Sequence, residues 1–396
     1  MTPTVLFVDD EPRILDGLRR GLRQHRGRWD MVFAPGGYEA IEVLQSRRVD
    51  VVVSDMRMPG MDGAHLLAWV RNHQPAAARI ILSGHAEPEA TLRAAVVAHR
   101  FLHKPCDLER LTEVVDGVVE APQVDRARVA AVLGAVSALP SPPHVVARLR
   151  ALLDAPDSPL ASVLAVVSGD LALSATAVHL ASGAFFTAAK GPVAVADAVV
   201  MLGVSTLRGL LDTAQVFWPF DETSGPQGLR VEQLSSRAVV AGQLAGQLAA
   251  DSLDAEGRQH AELGALLRDV GRLACLVGET AALESDLAEA QRTGQSLEQV
   301  EVSRAGYART EIGAALLAVW GLPTPVVVAV QHAQRPWTHG RPADPGYAAR
   351  AAHLLLQDTP LREPGLVVDP AELDGLLRAL RADPASAART ARELTA

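Results

Sequence analysis

The sequence is poor in cysteine, aromatic residues and lysine. Its 396 residues include two cysteines, Cys106 and Cys275, which are far apart and in neither CxxC nor zinc-type spacing. This excludes a disulfide framework or a cysteine-rich metal site and favours a reducing compartment. No run approaches the roughly 18 uncharged apolar residues of a membrane helix, and the apolar run at residues 5–8 leaves no room for a signal peptide. We therefore expect a cytoplasmic protein with no membrane partner.

Acidic residues outnumber basic ones, and basic residues cluster clearly in only one segment. The formal net charge is −9, and residues 123–396 hold 22 basic against 29 acidic residues. This balance argues against DNA as a partner. The exception is a group of six arginines around one predicted helix: Arg13, Arg19, Arg20, Arg23, Arg26 and Arg28. A solvated helix face is the favoured interpretation of this group, and a binding patch is the alternative.

Residues 4–120 alternate short apolar runs with amphipathic helical stretches, five times over. The runs are Val5–Val8, Met31–Ala34, Val51–Ser54, Arg79–Leu82 and Arg100–Leu102. Continuous apolar strands separated by helices predict parallel βαβ units covered on both faces. With right-handed crossovers they form a doubly wound α/β fold around a five-stranded parallel sheet. Ligands of such sheets bind beyond the carboxyl ends of the strands.

The strand pattern stops after Pro122, and one helical pattern follows another, many opening with proline, which suits the first turn of a helix. We therefore expect an all-α second half. The predicted organisation is a first domain over residues 1–122, a helical linker over 123–137, an all-helical output domain over 138–382 and a C-terminal tail over 383–396.

Side chains with distinctive chemistry follow four of the five predicted strands. Asp9 and Asp10 follow the first strand, Asp55 the third, Ser83 the fourth and Lys104 the fifth. The topology gathers them at one edge, where three carboxylates would crowd together. A like-charged pair at 4 Å costs about 4 kcal/mol at an effective dielectric of 20. A hard cation such as Mg²⁺, which takes carboxylates, waters and phosphate oxygens, would relieve this repulsion.

Lys104 is informative because only two of the 37 basic residues are lysine. A compact ammonium acts as a point-charge ligand of phosphate, whereas the planar fork of arginine imposes its own geometry. A carboxylate nucleophile, a lysine, a hydroxyl and Mg²⁺ together are what phosphoryl transfer requires.

Four segments of the first half resemble the receiver domain of two-component response regulators, which has a flavodoxin-like fold. They are Phe7–Glu11, Ser54–Gly63, Leu82–His85 and Phe101–Pro105. The resemblance implies that Asp55 is the phosphorylation site and that a sensor histidine kinase is the phosphodonor. It further implies the following roles: Mg²⁺ binding by Asp9 (through water), Asp10, Asp55 and the carbonyl of Arg57; phosphate binding by Ser83 and Lys104; movement of Phe101 with Ser83; and a cis Lys104–Pro105 bond. The family most often has threonine in place of Ser83.

The helical half resembles HDOD output domains, relatives of the HD-GYP phosphodiesterases, over roughly residues 138–357. The resemblance is carried mainly by Leu139–Pro143, Ser168–Leu173, Ala198–Gly203, Ala265–Leu273 and Trp320–Pro323. In the phosphodiesterases a histidine precedes the aspartate that corresponds to Asp269, and further histidines and a Gly-Tyr-Pro loop follow. Here Arg268, Arg309 and Ala333 stand where histidines are expected, and Ala348 follows Gly346-Tyr347.

Arginine stays protonated and cannot ligate a metal, so the metal-activated hydroxide of such hydrolases is not expected to form. We therefore expect no catalytic residue in this domain, with Arg268 and Asp269 as capping or ion-pairing groups and His353 as a hydrogen-bonded core histidine.

The leading hypothesis is a phosphorylation-dependent response regulator whose receiver switches a non-catalytic HDOD domain that binds an unidentified protein. The alternative is a receiver-regulated, metal-dependent cyclic-di-GMP phosphodiesterase of HD-GYP type. The sequence leaves open whether the chain forms a homodimer.

Overall fold

The computed structural model describes residues 2–84, 93–95, 97–119, 132, 139–155, 157–182, 194–213, 217–220, 230–332, 343–363, 366 and 368–395. The expected linker at 123–137 lies outside the described residues apart from residue 132. The same holds for Ala333, one of the positions where a histidine was expected.

The first half is built on a five-stranded parallel sheet. Its strands are β1 (Thr4–Val8), β2 (Asp30–Ala34), β3 (Val51–Asp55), β4 (Ala78–Ser83) and β5 (Arg100–His103), in the order β2-β1-β3-β4-β5. Its helices are α1 (Pro12–Gly21), followed by a 3-10 turn at Leu22–His25, α2 (Gly37–Ser46), α3 (Gly63–His73) and α4 (Leu108–Val119). The predicted doubly wound sheet is confirmed.

The sheet is covered on both faces because alternate residues of a strand point to opposite sides. Leu6 and Val8 of β1 belong to one apolar cluster, which includes Leu66 of α3. Val5 and Phe7 belong to the other, which includes residues of α1 and α4. Burial of both faces explains why the strands read as continuous apolar runs rather than as alternating ones.

The second half is mostly helical, as predicted. Its elements are β6 (Leu139–Ser141), α5 (Pro143–Asp154), α6 (Leu160–Ser168), α7 (Leu171–Ser182), α8 (Val195–Thr213), β7 (Phe217–Pro219), α9 (Val231–Leu248), α10 (Ala255–Leu267), α11 (Val270–Gly278), α12 (Thr280–Thr293), α13 (Leu297–Ala305), α14 (Arg309–Trp320), α15 (Thr324–His332), α16 (Pro345–Leu355), α17 (Pro370–Ala379) and α18 (Pro384–Thr395). A 3-10 turn at Leu356–Asp358 follows α16.

The expectation that this half has no strands needs one correction. β6 pairs with β7 in parallel, with Leu139 opposite Phe217 and Ser141 opposite Pro219. Each strand has three residues, which is too short to show an alternating pattern. Proline also lies in both strands, and proline normally argues against a strand.

The expected tail at 383–396 is also different in the structure. Residues 384–395 form α18, which contacts α9 and α16. Ala387 and Ala391 are buried in the cluster that those helices share. Four-residue spacing places both alanines on one helix face, and their small side chains give close contact but only a weak apolar signal in the sequence.

None of the described helices is by itself long and apolar enough to cross a membrane; only α6 and α7 together pass that test, and they are bent by 114° at their junction.

Candidate functional site

The carboxyl ends of the parallel strands place the expected site residues at one edge of the sheet. Asp9 directly follows β1, Asp55 ends β3, Ser83 ends β4 and Lys104 directly follows β5. In the strand register Asp55 lies opposite Leu82, and Ser83 lies opposite His103. Asp9, Asp55 and Ser83 are buried, so the polar groups are largely removed from bulk water.

Lys104 joins two carboxylates at this edge. Its Nζ donates a hydrogen bond to Oδ2 of Asp9 at 2.8 Å and forms an ion pair with Oδ1 of Asp55. Both aspartates are acceptor-only groups when ionised, and the ammonium supplies three donors. One flexible cation therefore neutralises part of the charge that the convergence of strand ends creates.

Burial and charge act in opposite directions on these groups. Burial raises the pKa of Asp55, and the hydrogen bond and charge of Lys104 offset only part of this rise. For Lys104, burial lowers the pKa of the ammonium, but Asp55 and Asp9 outweigh burial, so that the net shift is upward. The lysine is thus held in its charged form beside a carboxylate that burial has made more basic, and a more basic oxygen is a better nucleophile.

Backbone groups fix both carboxylates. The Arg57 N–H donates to Oδ2 of Asp55 at 2.8 Å, and the Glu11 N–H donates to Oδ1 of Asp9 at 2.9 Å. The loop after Asp55 then returns so closely that a Cβ on Gly63 would lie 2.2 Å from the Asp55 carbonyl oxygen. Only glycine fits there, a requirement that the sequence analysis did not recognise although Gly63 lay in the quoted motif.

The remaining expected residues lie around this pair. Asp10 is partly exposed and Arg57 is exposed. The Lys104 N–H donates to the Ser83 carbonyl at 2.7 Å, which ties β4 to the lysine. Phe101 is buried in the apolar cluster on the α3 side of the sheet, and the Lys104–Pro105 bond is cis.

The edge of the sheet offers Mg²⁺ carboxylate oxygens, a ligand type that this ion prefers. The described part of the chain contains no group of three or more histidine, cysteine, aspartate or glutamate side chains arranged to hold a metal ion. At this edge the Lys104 ammonium stands between Asp9 and Asp55. Mg²⁺ does not require such a group, because it commonly takes one or two carboxylates and completes its octahedron with waters and phosphate oxygens. The carboxylates of Asp9, Asp10 and Asp55 are therefore chemically suited to it.

Two buried side chains that the sequence analysis missed hold the chain ahead of β5. The Arg79 Nε donates to the Val97 carbonyl at 2.6 Å, and its Nη2 lies 2.7 Å from Nε2 of His99. The Arg79 N–H also donates to Nδ1 of His99 at 3.1 Å. The sequence predicts a strand at Arg79 but no partner for its side chain, because no local pattern pairs it with a histidine twenty positions away.

The arginine group around α1 lies on the surface, as expected both for a solvated helix face and for a binding patch. All six of its arginines are exposed. Arg19 pairs with Asp16 at 3.3 Å and lies over the Phe33 ring, and Arg28 pairs with Asp116 at 2.9 Å. Exposed pairs of this kind contribute about 0–1 kcal/mol each.

In the second half, the arginines at the expected histidine positions are buried in ion pairs. Nη1 of Arg268 lies 2.8 Å from Glu363, and Arg309 lies 2.8 Å from Asp286 and 3.1 Å from Glu301. The side chains of these five residues are at most 8% exposed. Guanidinium groups thus occupy this region as charge partners of carboxylates.

Asp269 is the centre of the same network. It accepts from Arg237 at 2.6 Å and from Arg272 at 2.9 Å, and it lies 3.6 Å from Arg268. Burial alone would raise the pKa of Asp269, but these three arginines outweigh it and lower the pKa well below its usual range. The pKa of Glu363 is also lowered, because the charges of Arg268, Arg272 and Arg237 outweigh its burial. The predicted ion-pairing role of Arg268 and Asp269 is confirmed.

The sequence analysis did not identify the partners Arg237, Asp286, Glu301 and Glu363. Glu363 lies 95 positions beyond Arg268, so no local spacing connects them. His353 is buried as expected, with Nε2 3.2 Å from the Ala265 carbonyl, and burial lowers its pKa to about 3, helped by the nearby Arg268 charge.

Comparison with known proteins also divides the chain into two parts. The family model described as "Response regulator receiver domain" matches residues 5–116, and the one described as "HDOD domain" matches residues 139–336, half of the chain. The parallel sheet with its strand-end aspartates and lysine is thus the receiver class of signalling domain. The chain belongs to the HDOD family and is a two-component response regulator with an N-terminal receiver.

Individual relatives match mainly the receiver. The transcriptional regulatory protein GlrR of Escherichia coli (strain K12) is 38% identical over 124 residues, which are 31% of this chain and 28% of GlrR. The chain spans about a quarter of the length of the curated relatives it matches.

Among solved structures, the signal receiver domain of an HD domain-containing protein from Pseudomonas fluorescens Pf-5 is 31% identical. The match covers 30% of this chain and 96% of the Pseudomonas fluorescens chain, with a TM-score of 0.29. The MmoQ response regulator from Methylococcus capsulatus str. Bath is 19% identical and covers 64% of this chain and 98% of that chain with a TM-score of 0.48.

Proposed function

We propose that Asp55 accepts a phosphoryl group from a sensor histidine kinase and that this event switches the HDOD domain. The observation that carries the proposal is the double contact of Lys104 with Asp55 and Asp9. It places a half-buried, charged ammonium beside a carboxylate whose pKa is raised by burial. A nucleophilic carboxylate next to a fixed point charge is what phosphoryl transfer to aspartate requires.

In the transfer step, an Oδ atom of Asp55 attacks phosphorus and the bond from phosphorus to the donor's imidazole nitrogen breaks, with the electron pair remaining on nitrogen. Lys104 neutralises a phosphate oxygen, and the Ser83 hydroxyl donates to another. Asp9, Asp10, Asp55 and the Arg57 carbonyl would hold Mg²⁺, which when bound offsets the negative charge of the phosphate oxygens. Phe101 follows Ser83 when the phosphate draws that hydroxyl inward.

The test is incubation with acetyl phosphate and Mg²⁺, followed by measurement of acid-labile, hydroxylamine-sensitive phosphate. We expect wild type and the surface control Asp16→Asn to be labelled equally, because Asp16 is an exposed residue of α1. Asp55→Asn should take up no label. Labelling of Asp55→Asn at the wild-type level would show that another residue is the acceptor.

We further propose that the HDOD domain is a non-catalytic, protein-binding output domain. The support is the buried network in which Arg268 and Arg309 pair with carboxylates at places where the phosphodiesterases use histidines. Fixed guanidinium charges repel a divalent cation, and they already engage the nearby carboxylates. The cyclic-di-GMP phosphodiesterase remains the competing hypothesis.

Elemental analysis of the full chain, followed by incubation with cyclic di-GMP and Mn²⁺ or Fe²⁺, separates the two. We expect no stoichiometric transition metal and no hydrolysis. Bound transition metal together with linear or mononucleotide product would favour the phosphodiesterase.

The further parts of the proposal are a cytoplasmic location, a protein partner of the HDOD domain, and no DNA or membrane partner. Comparing proteins captured by wild type and by Asp55→Asn tests whether phosphorylation controls partner binding.

A further inference from the structure

The receiver and the HDOD half are joined by an arginine at the beginning of β5. Nε of Arg100 donates to the Val319 carbonyl at 3.0 Å, and its Nη2 donates to the Ala318 carbonyl at 2.9 Å. Both acceptors belong to the last turn of α14. A single side chain of the receiver thus makes two hydrogen bonds of normal length to the backbone of the other domain.

The end of α14 is suited to a cation. The last carbonyls of a helix have no partner within the helix, and the helix dipole makes this end partly negative. Gly321 ends α14 with a left-handed φ of +87°. A Cβ at this position would lie 2.6 Å from Cζ of Arg100, so glycine both stops the helix and leaves room for the guanidinium.

Apolar contacts surround this polar one. Val118 of α4 and Ala95 pack against the main apolar cluster of the HDOD half, and α4 contacts α14. Trp320, the last residue of α14, stacks on His179 of α7 with ring centroids 4.3 Å apart. Burial lowers the pKa of Arg100 to about 10, with a smaller contribution from the Arg110 charge, which agrees with an enclosed guanidinium.

The same strand reaches the phosphorylation site. β5 contains four residues, and the next residue, Lys104, contacts Asp55. Arg100 lies opposite Ile80 in the β4–β5 register, and Phe101 lies opposite Ile81. At roughly 3.3 Å per residue, about 13 Å of strand separates Lys104 from Arg100. β5 is an edge strand whose four residues all pair with β4, and we expect so short a segment to move as one piece.

We infer that the end of α14 (Ala318, Val319 and Gly321) is the docking site of the receiver on the HDOD domain, that Arg100 fills it, and that phosphorylation of Asp55 weakens this docking. The coupling rests on the proposed phosphorylation of Asp55, whereas the docking itself does not. Both hydrogen bonds have normal lengths and depend on the position of Arg100, so a shift of β5 when Lys104 turns to the phosphate disturbs their geometry. The docking surface is thereby released for the partner of the HDOD domain.

The experiment measures amide hydrogen exchange of residues 316–322 in full-length wild type, Arg100→Ala, Arg100→Lys and the control Arg110→Ala. Arg110 is an exposed residue of α4 that pairs with Glu113. Without phosphorylation, we expect the exchange rate of these amides to rise about fivefold or more in Arg100→Ala. A fivefold change is about the lower end of the couplings that are typical between two sites. In Arg110→Ala the rate should change little. Arg100→Lys keeps the charge but not the fork and should lie between them; it also serves if Arg100→Ala fails to fold.

Phosphorylated wild type should show the same rise, and phosphorylation should add nothing further in Arg100→Ala. By linkage, the affinity for beryllium fluoride with Mg²⁺, a mimic of the bound phosphoryl group, should rise in Arg100→Ala by the same factor. Unchanged exchange in unphosphorylated Arg100→Ala and Arg100→Lys would overturn the docking site. Unchanged exchange in wild type with label verified on Asp55 would overturn the coupling alone. Absence of label on Asp55 would instead overturn the proposed function, and with it the coupling.

Discussion

Replacing Glu363 by glutamine tests whether the buried network of the HDOD half acts as an electrostatic unit. Glu363 lies 2.8 Å from Arg268, 2.7 Å from Arg272 and 3.5 Å from Arg237. Glutamine has nearly the same volume, so the substitution removes a charge without making a cavity. Asp269 would then face three guanidinium groups, and the next carboxylate, Glu301, lies 3.9 Å from Arg272.

Breaking a buried ion pair from one side costs about 3–5 kcal/mol, because the remaining charge is left uncompensated. Since a domain of 150–250 residues loses roughly 2–4 °C per kcal/mol, Glu363→Gln should lower the melting temperature of this half by roughly 6–20 °C. The matched control is Glu289→Gln, which removes a partly exposed glutamate that pairs with Arg292 at the surface and should leave the transition unchanged within error.

The assay is urea and thermal unfolding of the full chain followed by far-ultraviolet circular dichroism, which reports mainly on the helical half. The difference between Glu363→Gln and wild type should depend on pH with a definite sign. The folded-state pKa of Glu363 is lowered, mainly because the arginine charges outweigh burial, so its contribution is fully present above the unfolded value of about 4.3. The contribution should decline as pH falls from that value toward the lower folded pKa. A loss of less than about 1 kcal/mol, the range of exposed pairs, or a difference that does not shrink at all as pH falls below about 4, would refute the electrostatic argument.

Three further predictions concern individual residues. Lys104→Arg should retain Mg²⁺ binding but lose the exchange changes that follow phosphorylation, because the forked guanidinium cannot replace a compact ammonium between two carboxylates; a wild-type response would show that Lys104 is only a charge at the edge. Gly63→Ala should destabilise the receiver by about 1–3 kcal/mol, measured by urea unfolding, because its Cβ would meet the Asp55 carbonyl. Gly17→Ala, where the added Cβ meets nothing within 4 Å, is the control and should be neutral or slightly stabilising. His353→Gln should flatten the stability of the helical half between about pH 6.5 and 5. His353 has a folded pKa lowered to about 3 by burial, so the unfolded state binds the extra proton below about pH 6.5 and wild type loses up to about 1.4 kcal/mol per pH unit there. An unchanged slope in this variant would show that other groups carry the acid sensitivity.

The buried network also shows how ion pairs can hold the core of the HDOD half together. In the phosphodiesterase relatives, histidines converge on metal ions. Here Arg268 and Arg309 reach carboxylates of α12, α13 and the segment after α16, among them Asp286, Glu301 and Glu363. Charge pairs therefore link helices that are distant in sequence. Their net contribution relative to apolar packing is small in general, but loss of one partner is costly.

The parallel sheet and the residues gathered at its edge follow directly from the sequence, for physical reasons that act locally. An apolar run of four to six residues buried on both sides is continuous, and a polar residue directly after it lies at the edge of the sheet. Asp9, Asp55 and Lys104 were found in this way, and the structure brings them into contact. By contrast, strands β6 and β7 and helix α18 were missed, because three-residue strands with proline and an alanine-rich helix face carry little periodic signal.

The sequence by itself determined which residues could meet at the strand ends and which positions lack metal-binding imidazoles, since both depend on residue type and local period. Only the tertiary structure decided what Arg268, Asp269 and Arg100 contact. Glu363 reaches Arg268 from 95 positions away, and Arg100 reaches Val319 from 219 positions away. Such pairings arise from how helices and domains pack, since a guanidinium can donate to any carboxylate or carbonyl that packing brings near it. No local pattern in the chain records which of these it will find.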